Sequence, residues 1–151
     1  MRSTAPVRRA PGFTLAEILT VVVVIAVLAA VAVPLWRVHL LRVRRADAIN
    51  ALIAVQNAED QYFGRNARYA SGTQLNAPNP AGLGLESRSA RGYYDIEVRS
   101  ADGLGFTATA RANQSGAQTD DTRCVEFSID HNGMRRAADT AGQDRSADCW
   151  H

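Results

Sequence analysis

The 151-residue sequence has few of the residue types from which catalytic and metal sites are built. Its histidines, His39, His131 and His151, lie far apart, and with the two cysteines they show no spacing typical of a zinc site. The chain has no glycine-rich phosphate loop and no nucleophile elbow. Residues 130–133, Asp-His-Asn-Gly, predict a turn and not a calcium loop, because the regular spacing of oxygen ligands is missing. We therefore predict no enzymatic activity, no metal and no cofactor.

Glycine and charge are also scarce in the first part of the chain. No glycine occurs between Gly12 and Gly64, and Glu17 is the only charged residue from Phe13 to Trp36. A helix rising about 1.5 Å per residue would extend this segment to roughly 36 Å, enough to cross a hydrocarbon core about 30 Å thick. We predict a transmembrane helix over residues 13–36. A carboxylate in lipid costs on the order of 2.5 to 3.5 kcal/mol, so we expect Glu17 to have a cationic partner or a function.

The residues before this segment offer a way to create that partner. The leader, residues 1–12, contains no acid and three basic residues, Arg2, Arg8 and Arg9. It ends in Pro11-Gly12, which predicts an exposed, extended interruption where a protease could bind. Cleavage after Gly12 would give Phe13 a free amine, which is cationic below a pKa of about 8. Glu17 would then lie one turn away, and the two charges would neutralise each other within one chain or between neighbouring helices.

The string GFTLAE at residues 12–17, the apolar helix after it and Pro34 resemble the class III signal of type IV pilins and type II secretion pseudopilins. The resemblance implies cleavage between Gly12 and Phe13 by prepilin peptidase, followed by N-methylation of Phe13. It also implies that Glu17 recruits the subunit into a filament. Ala16 departs mildly from the family pattern, in which a bulkier aliphatic residue usually precedes the glutamate.

Two other interpretations of the N-terminal region remain open. A plain signal anchor would have the same basic flank and apolar run but no use for Glu17. A secretory signal peptide could be cut after the pattern at residues 30–32, Ala-Val-Ala, releasing a soluble protein that begins at Val33. Positive charge does not decide the topology, because three arginines precede the apolar run and four follow it, at positions 37, 42, 44 and 45. The family resemblance implies that the leader is inside and the C-terminal domain outside.

Beyond Trp36 the helix is expected to continue as an amphipathic segment, residues 37–64. Spacings of mostly three and four residues predict one face built from Val38, Leu41, Ile49, Leu52, Ile53, Gln56 and Phe63. One helix from about Phe13 to Phe63 is the economical interpretation. Pro34 removes one backbone hydrogen bond within it and predicts a kink or a locally melted turn. The aromatic residues at the helix end resemble those that pack the helix of pilins against a sheet.

The rest of the chain, residues 65–151, is predicted to form the exported head of an α+β fold, with the long N-terminal α-helix packed on an antiparallel β-sheet of about four strands. Residues 70–91 are a connecting loop. Alternating patterns predict strands at 92–99, 106–111 and 124–130 and a short fourth strand at 134–137, so that the sheet spans 92–138. Asp102-Gly103 and Asn132-Gly133 predict hairpin turns.

Cys124 and Cys149 are the only cysteines, and an oxidising compartment favours their pairing in an exported domain. A bridge would close a C-terminal loop over residues 124–149. Such a loop resembles the D-region of type IV pilins, and the chain looks most like small minor pilins of the PilE type. Pseudopilins of type II secretion usually lack this pair. Two free thiols are the alternative.

Charge divides along the chain. The leader and residues 13–45 each carry a net charge of +3, whereas residues 46–151 carry ten arginines and fourteen acids. A mildly acidic head weighs against strong non-specific DNA binding. A local patch formed by Arg135, Arg136 and Arg145 is the possible exception.

Together these features predict a structural subunit of a type IV pilus, most simply a minor pilin, serving adhesion, twitching motility or DNA uptake. A pseudopilin of a type II secretion system and a tip pilin that binds DNA or a surface are the alternatives. The implied partners are other pilin subunits through the N-terminal helix, prepilin peptidase and an inner-membrane assembly platform. The chain would lie in the bacterial inner membrane with its head in the periplasm before assembly, and in the extracellular pilus afterwards.

Overall fold

The structure, a computed structural model, describes residues 12–113, 115–116 and 118–150. Predictions about leader residues 1–11, including Pro11 and the three leader arginines, lie outside the described residues. The chain divides into two units, Met1–Val38 and His39–His151. The first contains the apolar part of the long helix, and the second contains the rest of that helix and the sheet.

Helix α1 spans Leu15–Asn66, two residues shorter at its start than predicted and three longer at its end. It starts after Thr14, whose hydroxyl accepts the Glu17 N–H at 3.3 Å and so caps the first turn. Gly64 was expected to end the helix in a turn, but it lies within the helix. The chain leaves the helix at Ala67, which adopts a left-handed φ of 53°.

The helix continues through Pro34 without interruption, so the turn there is not melted. Proline supplies no N–H, and the carbonyl of Ala30 therefore lacks its usual donor four residues on. The predicted kink stays a prediction.

Four antiparallel strands form one sheet, which confirms the predicted antiparallel sheet of about four strands, and their order is β1-β2-β3-β4. The strands are β1 Tyr94–Arg99, β2 Thr107–Ala112, β3 Glu126–Asp130 and β4 Arg135–Ala138. Each begins one or two residues later than its sequence pattern indicated. Gly103 and Gly133 lie in the two predicted turns with φ of 77° and 76°, a conformation that glycine adopts without a steric penalty.

The core lies on one face of this sheet. Tyr94, Ile96 and Val98 alternate with exposed residues along β1, as the sequence pattern predicted. The buried residues of β2 are all alanines, which leaves room for the rings of Tyr94 and Phe127 on the strands either side. These two rings meet edge to face with centroids 5.7 Å apart. The core also includes Ala48, Leu52, Val55 and Tyr62 of α1.

The predicted buried face of α1 was only partly correct. Leu52 is buried, but Val38 and Phe63 are 51% and 40% exposed. The buried residues of the helix are Asp47, Ala48, Leu52, Val55, Glu59 and Tyr62. From Ala48 onward they follow steps of four and three residues, so the spacing was right, while the choice of residues was right for Leu52 and wrong for Val38 and Phe63. Ile49 and Ile53, which the pattern also placed on this face, are half-buried, and Ile49 packs against the core.

Both outer edges of the sheet are covered by neighbouring chain. Along β1, the Ser89 N–H donates to the Tyr94 carbonyl at 2.8 Å and the Ile96 N–H to the Ser87 carbonyl at 2.9 Å. Along β4, Ala137 exchanges hydrogen bonds with the Arg145 N–H and the Ser146 hydroxyl. Ser146 begins a short helix, α2, at Ser146–Cys149, which the sequence did not predict.

Candidate functional site

The N-terminal end of α1 places the residues of the predicted processing and assembly site in one short stretch. Gly12 precedes the helix, and a Cβ added there would meet nothing within 4 Å. Phe13 is 80% exposed. Glu17 lies in the first helical turn, where the helix dipole favours an anion. In the uncut chain the Phe13 nitrogen is an amide, so the amine that would pair with Glu17 requires cleavage.

The helix beyond Glu17 is apolar on all sides. Every residue from 18 to 38 is exposed, including Ile18, Val22 and Leu28. By length and composition α1 could cross a membrane. Side chains of this kind on every face of a helix require a lipid or protein surrounding.

Cys124 and Cys149 form a disulfide with an S–S distance of 2.00 Å, which confirms the predicted pair. The bridge joins the segment before β3 to the end of α2. Trp150, next to Cys149, packs edge to face on Phe127 with ring centroids 5.8 Å apart, and its indole N–H donates to the Arg136 carbonyl at 2.8 Å. The tail is therefore fixed to β3 and β4 by a covalent bond, an aromatic contact and a hydrogen bond.

A buried ion pair fixes the same segment to α1. Arg45 donates from Nε and one terminal nitrogen to the two oxygens of Asp121, at 2.7 and 2.9 Å. The Asp121 side chain is 1% exposed, and it also accepts from Gln118 Nε2 at 2.9 Å and from the Cys124 N–H at 3.3 Å. The Tyr94 hydroxyl is buried beside this network. Its pKa is raised, mainly because the hydroxyl is buried and also because the negative charge of Asp121 is close. The sequence carries no signal for this pair, because 76 residues separate Arg45 from Asp121.

Two buried acids on α1 were also missed. Glu59 is fully buried, and its Oε2 accepts the Ala70 N–H at 2.8 Å, while Oε1 makes no hydrogen bond to any described atom. Burial raises the pKa of Glu59, an effect that the Ala70 N–H partly opposes. Asp47 accepts the Arg91 N–H at 3.3 Å. The signal that could have found Glu59 is its place four residues after Val55, in the four-and-three spacing that begins at Ala48. Asp47 lies outside this spacing.

The predicted basic patch is smaller than expected. Arg135 and Arg136 are exposed on β4, and the Arg135 guanidinium lies 5.3 Å from the centre of the Trp150 ring. Arg145 is paired with Asp139 at 3.0 Å, so its charge is partly neutralised. Within the described part of the chain, no cluster of three or more His, Cys, Asp or Glu side chains could hold a metal ion.

Comparison with known proteins identifies the family. Residues 34–128, more than half of the chain, match the family described as type IV minor pilin ComP, DNA uptake sequence receptor. The chain belongs to this family of type IV minor pilins. Residues 7–33 of the minor pilin match the prokaryotic N-terminal methylation motif. That match includes Gly12, Phe13 and Glu17, the residues of the predicted processing and assembly site.

Two individual proteins resemble this minor pilin. The structure of the non-core minor pilin PilV from Neisseria meningitidis superposes with a TM-score of 0.51 at 16% identity, over 70% of this chain and 93% of that chain. It supports the fold. The type II secretion system core protein G of Aeromonas hydrophila is 34% identical over 67 residues, 44% of this chain and 47% of that protein. The chain thus spans about half the length of this curated relative.

Proposed function

We propose that this minor pilin is cut between Gly12 and Phe13, N-methylated at Phe13, and drawn from the inner membrane into a type IV pilus through the apolar part of α1. Before assembly the head lies in the periplasm, and afterwards it is displayed on the extracellular fibre. Prepilin peptidase and an inner-membrane assembly platform act on the chain in turn. The exposed apolar helix with one acid in its first turn carries the proposal.

The charge of Glu17 supplies the direction of the process. In lipid an unpaired carboxylate costs on the order of 2.5 to 3.5 kcal/mol. In the fibre the Phe13 amine of a neighbouring subunit neutralises it. Transfer from lipid to fibre therefore replaces an isolated charge by a pair, while the apolar side chains exchange lipid for helix contacts.

The N-terminus and intact mass of the membrane-extracted protein test the processing step. We expect a chain that begins at Phe13 and carries one added methyl group. A chain that begins at Val33 would mean ordinary secretion, and an uncut chain in cells that contain the peptidase would mean a plain signal anchor. Either result would contradict the proposal.

Glu17→Ala tests the assembly step. The variant should be processed and inserted in the membrane but be at least about tenfold depleted in sheared fibres, since the attraction to the Phe13 amine is lost. Asp60→Asn, which removes an exposed carboxylate from the same helix, is the matched control and should assemble normally. Wild-type amounts of Glu17→Ala in the fibres would refute this role. If deletion of the gene blocks enzyme export but leaves surface fibres intact, the pseudopilin alternative is favoured.

We propose DNA binding as a second function, because the family description names a DNA uptake sequence receptor. The specific observation is the exposed pair Arg135 and Arg136 beside the aromatic ring of Trp150. Several other head arginines are engaged by acids, including Arg88, Arg111 and Arg123. Arg136 lies close enough to Asp144 to help lower the pKa of that carboxyl, but the guanidinium groups of Arg135 and Arg136 are exposed, and exposed guanidinium groups can neutralise phosphates.

Binding of the full-length extracted protein to a fluorescent DNA duplex, measured over a range of salt concentrations, tests this function. If both arginines contact phosphates, Arg135→Ala with Arg136→Ala should weaken binding and reduce the slope of log K against log salt by about 2. Arg99→Ala, which removes an exposed arginine paired with Glu97, is the control. An unchanged slope in the double variant would place any DNA contact elsewhere.

A further inference from the structure

A groove of about 390 Å³ lies on the head between α1 and the segment that leads into β1. The helix contributes Asn50, Ala51 and Ala54, whose small or polar side chains leave the space open. Leu85 and Ile96 form much of the opposite wall. The lining is mostly apolar, and all of it belongs to the unit His39–His151.

Asp47 is the one acidic side chain buried in the groove wall. It is 8% exposed, and its Oδ1 accepts the Arg91 N–H at 3.3 Å. Its Oδ2 is buried and makes no hydrogen bond to any described atom. A buried carboxylate oxygen without a donor is unfavourable, because the water it has lost is not replaced. The terminal torsion of aspartate is soft, so Oδ2 can turn toward a donor that enters the groove.

The shape and charge of the groove select a cation on an apolar stem. A guanidinium meets a carboxylate with two parallel hydrogen bonds, and its methylene stem suits walls of alanine, leucine and isoleucine. Of the two rim arginines, Arg88 is paired with Asp95, and the contact that Arg91 makes with Asp47 is through its backbone N–H. Exposed Glu86 on the rim adds a second negative charge near the opening.

We propose that this groove receives an arginine side chain of a neighbouring pilin subunit, whose guanidinium pairs with Asp47. The partner rests on the proposed function, because fibre assembly brings other pilin subunits against the head. A subunit that inserts a cation into this groove satisfies the buried oxygen and fixes the orientation of one head against the next. Charge complementarity makes the contact specific for a basic side chain.

The chemistry of the groove can be tested without a fibre. N-ethylguanidinium is titrated into the full-length, detergent-extracted protein, and the NMR signal of the Arg91 amide is followed, with N-ethylurea as the neutral probe of the same shape. We expect a saturable shift with N-ethylguanidinium only, and affinity at least about tenfold lower in Asp47→Asn. Asp60→Asn should behave as wild type. Equal responses to both probes, or equal affinity in Asp47→Asn, would overturn the proposal.

A second variant covers the chance that Asp47→Asn does not fold. Ala54→Leu fills the groove from the exposed side of the helix without a change in charge, and it should abolish the shift. If Ala54→Leu binds N-ethylguanidinium as tightly as wild type, the groove is not the site.

A photo-crosslinking amino acid at Asn50 identifies the occupant in sheared fibres. We expect a crosslink to an arginine-containing peptide of a pilin subunit, reduced in Asp47→Asn and Ala54→Leu and retained in Asp60→Asn. Equal yields in all variants, or a crosslink to no pilin, would refute this partner. Absence of the wild-type protein from sheared fibres would instead contradict the proposed function, and the titration would still decide what the groove binds.

Discussion

Replacement of Arg45 by methionine should strongly destabilise the head. Asp121 is buried at 1% side-chain exposure and receives two of its four hydrogen bonds from Arg45. Methionine keeps the apolar stem and removes the charge, so the carboxylate is left buried with only Gln118 and the Cys124 N–H as donors. Breaking one side of a buried ion pair costs about 3 to 5 kcal/mol. For a unit of this size we expect the melting temperature to fall by roughly 10 to 20 °C.

Urea unfolding of the full-length protein in detergent, followed by tryptophan fluorescence in a Trp36→Phe background so that Trp150 alone reports, measures this loss. Arg111→Met is the matched control, because its partner Glu126 is 35% exposed and a pair of this kind contributes about 0 to 1 kcal/mol. Adding Asp121→Asn to Arg45→Met removes the buried charge and keeps an acceptor for the Cys124 N–H. The double variant should recover more than half of the lost free energy of unfolding. If it is no more stable than Arg45→Met, the uncompensated charge is not the cause, and the reasoning fails.

Two further changes test other buried groups. The raised pKa of Glu59 means that its stabilising contribution is complete below about pH 4.5, the unfolded value, and is lost as pH rises through the folded value. Unfolding measured from pH 4 to pH 8 should therefore show Glu59→Gln gaining stability relative to wild type as pH rises, and a difference independent of pH would contradict this. Replacing Cys124 and Cys149 with serine opens a loop with a sequence separation of 25 and should lower the free energy of unfolding by up to about 3.5 kcal/mol. An unchanged urea midpoint would show that the bridge does not limit stability.

The sheet could be predicted from local pattern because each strand carries its own signal. Tyr94, Ile96 and Val98 alternate with charged residues, and Gly103 and Gly133 supply the left-handed turns that hairpins require. These turns predict the pairing of β1 with β2 and of β3 with β4, since short hairpins leave neighbouring strands antiparallel. The pairing of β2 with β3 across a longer connection did not follow from them. The extent of α1 was also readable, because few residues within it oppose a helix.

The buried charged side chains could not be predicted in the same way. Glu59 and Asp47 are acidic, and only the tertiary fold brings the backbone N–H groups of Ala70 and Arg91 to them. Hydrophobicity therefore assigned them to the solvent face of α1. The pair of Arg45 and Asp121 depends on a contact between distant segments for which one sequence gives no signal. Glu17 was identified because it is isolated, a local property that needs no partner in the fold.

The covered sheet edges restrict how heads can associate. A free edge strand offers a row of unpaired backbone groups to a second sheet. Here residues 87–89 occupy the edge of β1, and the segment around Arg145 and Ser146 occupies the edge of β4. The outer face of the sheet carries charges of both signs, such as Arg111 paired with Glu126. Strand addition is thus blocked where these segments cover β1 and β4. In the proposed fibre the apolar helix would supply most of the association energy, and a cation in the Asp47 groove would supply its orientation.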